Sequence, residues 1–198
     1  MTQLPQVILI NCSPRIHGNS QRVSGRIESQ LSGICDIHPV RIHDLSLRPC
    51  GDCDKFCEKT GRCVRRDDMD KLYSLFDTTD AMVMVSPVYF YNFPGYAKIM
   101  IDRCQPYWTL KKEKQPARAN ISFSAAVMIG ATKGEKLFFG MKQVFHSFSF
   151  VLGVKRVEPH HVLEIRRVDA RGEIENYMKD VDAFIQMLKK EIGNLNLS

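Results

Sequence analysis

The sequence has no apolar run long enough to cross a membrane. Its opening MTQLPQVILI carries neither a charged flank nor a small-residue cleavage site. The expectation is a chain with no signal peptide and no membrane anchor, located in the cytoplasm. Both of the best-known phosphate loops are missing as well. Without GxxxxGK[ST] an ATP or GTP hydrolase is disfavoured, and without GxGxxG so is a dinucleotide fold of the common dehydrogenase kind. No Ser/His/Asp set and no paired catalytic carboxylates are evident, and none of the 6 histidines stands at ligand spacing. His160 and His161, adjacent on an expected strand, should face opposite ways. Internal repeats, low-complexity tracts and domain boundaries are absent too. Residues 1–198 are therefore expected to form one domain, with a cysteine-rich loop at 49–66.

Charge is present but scattered. The net +6 and a pI near 9.0 favour anionic ligands. Yet basic and acidic residues alternate in GEKLFFGMK and EIRRVDARGE, and the one dense cluster, Lys111, Lys112 and Lys114, contains Glu113. That pattern reads as a solvated surface, not a nucleic-acid site.

The stretch that organises the chain is ILINCSPRIHGNSQRVSGRI, residues 8–27. Val7 to Ile10 form a short β-branched run, read as a strand buried on both faces. It breaks into Asn11, Cys12, Ser13, Pro14, Arg15, Gly18, Asn19 and Ser20, after which a helical pattern begins. Backbone N–H groups at a helix start lack intrahelical partners and sit at the positive end of its dipole. Ser13, Asn19 and Ser20 add polar side chains, Arg15 adds a charge-assisted donor, and Gly18 permits close approach. The residues suit a phosphate-bearing cofactor; they also suit an ordinary βα turn with a good N-cap.

Along the chain, Val23, Ile27, Leu31 and Ile34 keep helical spacing up to Gly33, with Gly25 calling for a close packing contact. Residues 36–45 read as an edge strand, and Asp67, Asp68 and Asp70 as the first turn of a second helix. AMVMVSP, 81–87, is a buried strand, followed by an aromatic, proline-rich loop and a helix from about Pro94. Strands follow at 121–129 and 154–165, with a helix from about Glu135 to Leu152 between them. The last helix runs from Ile174 to Gly193. Five strands alternating with five helices imply a parallel sheet with right-handed crossovers, covered on both faces. Ligands bind such a sheet beyond the strands' carboxyl ends, which brings loops 13–20, 86–92 and 130–135 together.

Four of the 7 cysteines, Cys50, Cys53, Cys57 and Cys63, crowd PCGDCDKFCEKTGRCV just before the second helix. In a reducing compartment such crowding suggests a metal. Structural zinc usually takes two knuckles across a longer span, whereas cubane clusters favour one compact run, so [4Fe–4S] is the better metal reading. Cys12, Cys35 and Cys104 read as ordinary buried thiols.

With SPRIHGNS, SPVYFYNFPGYAKIMIDRCQPYW, GATKGEKLF and the cysteine loop in view, the sequence resembles the flavodoxin-like NAD(P)H-dependent FMN reductases, and among them the iron–sulfur flavoproteins. The resemblance implies a three-layer α/β sandwich with strand order 2-1-3-4-5. It implies Ser13, Arg15, Gly18, Asn19 and Ser20 around the FMN phosphate, and Pro87, Val88, Tyr89, Phe90 and Asn92 along the isoalloxazine ring. Thr132 would meet the same cofactor, with Lys133 beside it. Tyr89, Phe90 and Tyr91 could otherwise serve a core or an interface. The implied chemistry is hydride transfer from NAD(P)H to FMN and on to a small acceptor: a quinone, free flavin, metal complex or azo compound. The alternative is an electron carrier in which a cluster on Cys50, Cys53, Cys57 and Cys63 links a ferredoxin-like partner to FMN. In this chain three residues separate Cys53 from Cys57, where cluster-binding members of that branch mostly have two, so zinc or an unmetallated loop stays open. A regulatory nucleotide-binding module without redox chemistry is a third reading. The segment Pro106, Tyr107, Trp108, read as exposed, and family habit imply a homodimer or homotetramer. Neither a nucleic acid nor a membrane is an expected partner.

Overall fold

The apolar runs of the sequence become the strands of one parallel sheet, seen in a computed structural model that describes residues 4–155 and 157–195. The strands are β1 (Gln6–Asn11), β2 (Asp36–Arg41), β3 (Ala81–Pro87), β4 (Phe123–Ile129) and β5 (Val162–Ile165). Their order is β2-β1-β3-β4-β5 and every pairing is parallel, as expected. The helices are α1 (Asn19–Leu31), α2 (Phe56–Thr60), α3 (Met69–Thr78), α4 (Gly95–Asp102), α5 (Gln105–Lys112), α6 (Phe139–Val151) and α7 (Met178–Leu195).

Alternation along the strands sorts the core into two clusters. Val7, Leu9, Val83, Val85 and Val127 point towards Val23, Ile27 and Leu31 of α1 and Val181, Ile185 and Leu188 of α7. Ile8, Ile10, Met82, Met84 and Met128 point the other way, to Leu72 and Phe76 of α3, Met100 of α4, Tyr107 of α5 and Phe145 and Phe148 of α6. Because each face meets helices, the central strands are apolar throughout rather than alternating. The chain lays β2 on one side of β1 and then crosses to place β3 on the other. That puts the reversal of strand order between β1 and β3, where ligands of such sheets bind.

Several boundaries differ from expectation, each for a local reason. The second strand ends at Arg41 because Ile42–Asp44 turn into a 3-10 helix. The fourth strand begins at Phe123, not residue 121. The fifth shrinks to Val162–Ile165: Pro159 brings no N–H to a ladder, and Pro159–His161 form a 3-10 turn capped by Glu158. Arg156 lies outside the described residues. His160 and His161 therefore share a turn instead of opposing on a strand, with ring centroids 4.4 Å apart.

The helix expected from Pro94 is two helices, α4 and α5, with Arg103 and Cys104 at the corner and Pro106 in the first turn of α5. Pro106 and Tyr107 are buried, leaving Trp108 as the exposed residue of that trio. Asp67 and Asp68 precede α3 rather than opening it, and α6 starts at Phe139 after an exposed loop. Ile174 and Tyr177 belong to a 3-10 turn, Glu173–Tyr177. Gly193 sits inside α7, which runs to Leu195. Gly33 takes φ 78° just past α1, as a helix stop should. Gly25 meets nothing within 4 Å of where a Cβ would stand, so close packing does not explain it.

Candidate functional site

Beyond the carboxyl end of β1 the chain bends sharply, and side chains hold the bend. Asn11 Oδ1 accepts the Ser13 N–H at 2.9 Å, while Asn11 Nδ2 donates to Gln21 Oε1 at 2.7 Å. Ser13 Oγ accepts the Arg15 N–H at 3.2 Å. Gly18 occupies the N-cap position of α1 and no side chain caps the helix, so the first-turn N–H groups of Asn19 and Ser20 are left to a ligand or to water. A Cβ at Gly18 would stand 3.0 Å from the Arg15 Cβ and 3.4 Å from the Arg15 carbonyl oxygen, which makes it a tight turn.

Ser13, Arg15, Asn19 and Ser20 of this loop line one cleft with Pro87, Val88 and Tyr89 beyond β3. The cleft also takes in Ala131, from the expected loop 130–135, and Ile129, Val168 and Asp169, which the sequence did not point to. Val168 and Asp169 arrive through backbone pairing: the Val168 N–H donates to the Gly130 carbonyl at 3.0 Å. The only signal in the sequence was a charge-mixed loop after β5. The Asn19 side chain reaches the same loop, donating to the Ala170 carbonyl and accepting from the Gly172 N–H, both at 3.0 Å. Its amide thus ties α1 to the 170s loop, leaving its backbone N–H for the cleft.

The aromatic loop is a tight hairpin turn. Tyr89 and Asn92 exchange backbone hydrogen bonds at 2.9 and 3.0 Å, with Phe90 at φ 49° and Tyr91 at φ 63° between them. Two successive left-handed residues form the pattern of a type I′ turn, which normally falls to Asn and Gly. Here two bulky aromatics hold it, and Phe90 is 99% exposed. They are not core residues. Strain of this kind persists only where surrounding structure imposes it, and it concentrates at ligand sites. One such constraint is close packing: a Cβ at Gly140 would stand 2.8 Å from the Tyr91 carbonyl oxygen. Asn92 accepts the Phe93 N–H at 2.8 Å and lies outside the cleft lining. Thr132 and Lys133 are exposed and also outside that lining, and the Thr132 carbonyl receives the Arg167 N–H at 3.4 Å.

A phosphate-bearing flavin fits this arrangement. An uncapped helix start with Ser13, Arg15 and Ser20 offers donors to an anion, and the strained aromatic turn offers backbone groups and a flat apolar face. Cys12 beneath the loop is no nucleophile: burial pushes its thiol up to about 12, against a smaller opposing effect of the Ser86 hydroxyl.

The cysteine loop crosses the opposite side of the sheet from α1 and packs on α5. Cys50, Cys53, Cys57 and Cys63 line a single cavity together with Arg103, and all four are free thiols. Burial raises the Cys57 pKa, and the neighbouring Cys53, Cys50 and Cys63 raise it further, as like charges brought together must. Among the described residues, the one trio of His, Cys, Asp or Glu ligand atoms within 4.8 Å of one another is His160, His161 and Glu191. Four cysteines on one cavity are a donor set of the kind that an iron–sulfur cluster or a zinc ion takes. The histidine trio is not a metal site, because His161 Nδ1 accepts the Glu158 N–H at 3.2 Å and the neutral ring then keeps its proton on Nε2.

Comparison with known proteins agrees with this fold. An iron-sulfur flavoprotein of Archaeoglobus fulgidus is 31% identical over 141 residues, covering 70% of this chain and 61% of that protein. The chain thus spans about three fifths of that relative's length. Among solved structures, the NAD(P)H:quinone oxidoreductase from Methanothermobacter marburgensis superposes with a TM-score of 0.68 at 15% identity, over 98% of this chain and 96% of that one. An FMN-dependent NADH-azoreductase from Bacillus anthracis, solved in complex with FMN, gives 0.65 at 13% identity, over 94% of this chain and 100% of that one. The likeness to both is one of fold. No helix among the described residues is long and apolar enough to cross a membrane. The model of the NADPH-dependent FMN reductases matches residues 5–161, and with the strand order and the cleft at the β1/β3 reversal it places the chain in that family.

Proposed function

We propose that this chain is an FMN-dependent NAD(P)H oxidoreductase. The observation that carries the reading is the meeting, in one cleft, of the uncapped α1 start with Pro87, Val88 and Tyr89, the residues that lead into the strained aromatic turn. Ser13, Arg15, Gly18, Asn19 and Ser20 hold the phosphate, the serines and backbone as donors and Arg15 as the neutralising charge. Pro87, Val88, Tyr89, Phe90 and Asn92 would meet the ring, and Thr132 would meet the same cofactor. When bound, FMN supplies the redox chemistry, taking hydride from a nicotinamide and returning electrons to a small acceptor such as a quinone, flavin, metal complex or azo compound. The chain's own work is to fix the phosphate, shape the cleft for two stacked rings and keep the exposed turn open to the second substrate. A quinone oxidoreductase and an azoreductase among the structural neighbours support that acceptor class.

FMN and riboflavin titrations test the reading. About one FMN per chain is the expected stoichiometry. Arg15→Ala should weaken FMN about tenfold through loss of a charge-assisted bond, and leave riboflavin, which lacks the phosphate, unchanged. Equal losses for both ligands would refute the phosphate assignment.

The cysteine cavity favours a second reading, an electron carrier whose cluster on Cys50, Cys53, Cys57 and Cys63 passes electrons between a ferredoxin-like protein and FMN. The iron-sulfur flavoprotein relative supports it. Iron and acid-labile sulfide assayed on protein purified without oxygen decide it: about four irons per chain establish ligation, and none leaves the reductase alone. A homodimer or homotetramer in the cytoplasm completes the proposal, and light scattering showing a monomer would remove the oligomer.

A further inference from the structure

Arg103 is 1% exposed, at the corner between α4 and α5, a poor place for a cation without a purpose. A guanidinium has five N–H donors. Four are spent on the frame of the cysteine loop. Nη1 donates to the Arg48 carbonyl and to Asp67, both at 2.8 Å, and Nη2 to the Arg65 carbonyl at 3.4 Å and to Asp67 at 3.2 Å. Arg48 lies two residues before Cys50, and Arg65 two after Cys63. One side chain therefore closes the loop at both ends. Asp67 serves the same clasp, accepting the N–H of Arg48 at 3.1 Å and of Met69 at 3.0 Å. The fifth donor, Nε–H, is buried with no partner, and Arg103 borders the cavity that the four cysteines line. An orphaned charged donor costs more than an ordinary unmade hydrogen bond.

We propose that Arg103 is the positioning residue of the cysteine site, clasping both ends of the loop and reserving Nε–H and its positive charge for an anionic, thiolate-ligated group in the cavity. The occupant rests on the cluster reading above; the clasp does not. A cluster held by four thiolates is anionic, and hydrogen bonds to its sulfurs together with nearby charge set its potential.

Arg103→Lys and Arg103→Gln separate the two parts. In metal-free protein, amide exchange over 49–66 should quicken about tenfold or more in both variants, from the loss of the fork, while β1 and β3 amides stay protected and certify the fold. After anaerobic reconstitution with iron and sulfide, Arg103→Gln should lose most of its iron. Its remaining cluster should titrate at a more negative potential, because a compensating charge is gone. Arg103→Lys, still charged, should stay close to the wild-type potential. Unchanged loop exchange in both variants overturns the clasp. Equal potentials in wild type and Arg103→Gln overturn the charge role. A wild type that takes up no iron defeats the cluster reading and the occupant with it, and loop exchange still judges the clasp.

Discussion

Phe90 and Tyr91 show what a single residue's backbone can reveal. Both sit in the left-handed region, which costs a non-glycine residue on the order of 1 kcal/mol, and Phe90 recovers nothing through burial at 99% exposure. Replacing the pair by Phe90→Asn and Tyr91→Gly, the residues a type I′ turn prefers, should stabilise the protein by about 1 kcal/mol in urea unfolding. It should also weaken FMN about tenfold in a binding titration. A gain in stability without loss of affinity would mean the aromatics serve something other than the flavin. The sequence announced this loop by its density of aromatics, but not its strain, because YFYN carries no turn signature. It likewise offered Asn19 as a phosphate ligand, and gave no hint that its amide is engaged with Ala170 and Gly172, over 150 residues away.

Elements were legible wherever one period dominated. Continuous apolar runs gave β1, β3 and β4 almost to the residue, since strands buried on both faces have no competing pattern. Boundaries were lost where local breaks cut an apolar pattern: β5 is an edge strand cut short by a capped 3-10 turn, and the α4–α5 break falls at Arg103 and Cys104, just before Pro106 in the first turn of α5. Gly25, exposed in α1 with open space around its missing Cβ, should accept alanine. Gly25→Ala is expected to stabilise the protein by about 0.5–1 kcal/mol with no change in FMN affinity, read from urea midpoints and flavin titration. The turn before β5 carries a pH dependence. Burial first, and then the charge of His160, hold His161 below its ordinary 6.5, opposed by Glu191 and Glu158. The unfolded chain takes that proton more readily, so the stabilisation is complete above about pH 6.5 and is lost as pH falls below it. The urea midpoint should therefore drop more between about pH 7.5 and 5.5 in the wild type than in His161→Gln.

At the scale of the whole molecule, topology assembles the site. Loops distant in sequence meet because β1 and β3 are neighbours at the reversal of strand order, and β4 brings a third loop beside them. That much followed from a βα alternation and the rule that such sheets bind ligands at their carboxyl edge. The contribution of Val168 and Asp169 did not, because it depends on how the chain returns after β5. The cysteine loop was legible as a donor set from spacing alone, whereas the buried arginine that closes it was one more residue in a helical pattern. With the cleft proposed for FMN and the cysteine cavity on one chain, the direct question is whether a flavin bound in the cleft accepts hydride. Flavin-loaded protein should be titrated without oxygen with NADH and then NADPH, following the visible flavin absorption. At least one nicotinamide should bleach the flavin at about one equivalent per FMN, with colour returning when a quinone is added. A flavin that stays oxidised in excess of both would contradict it.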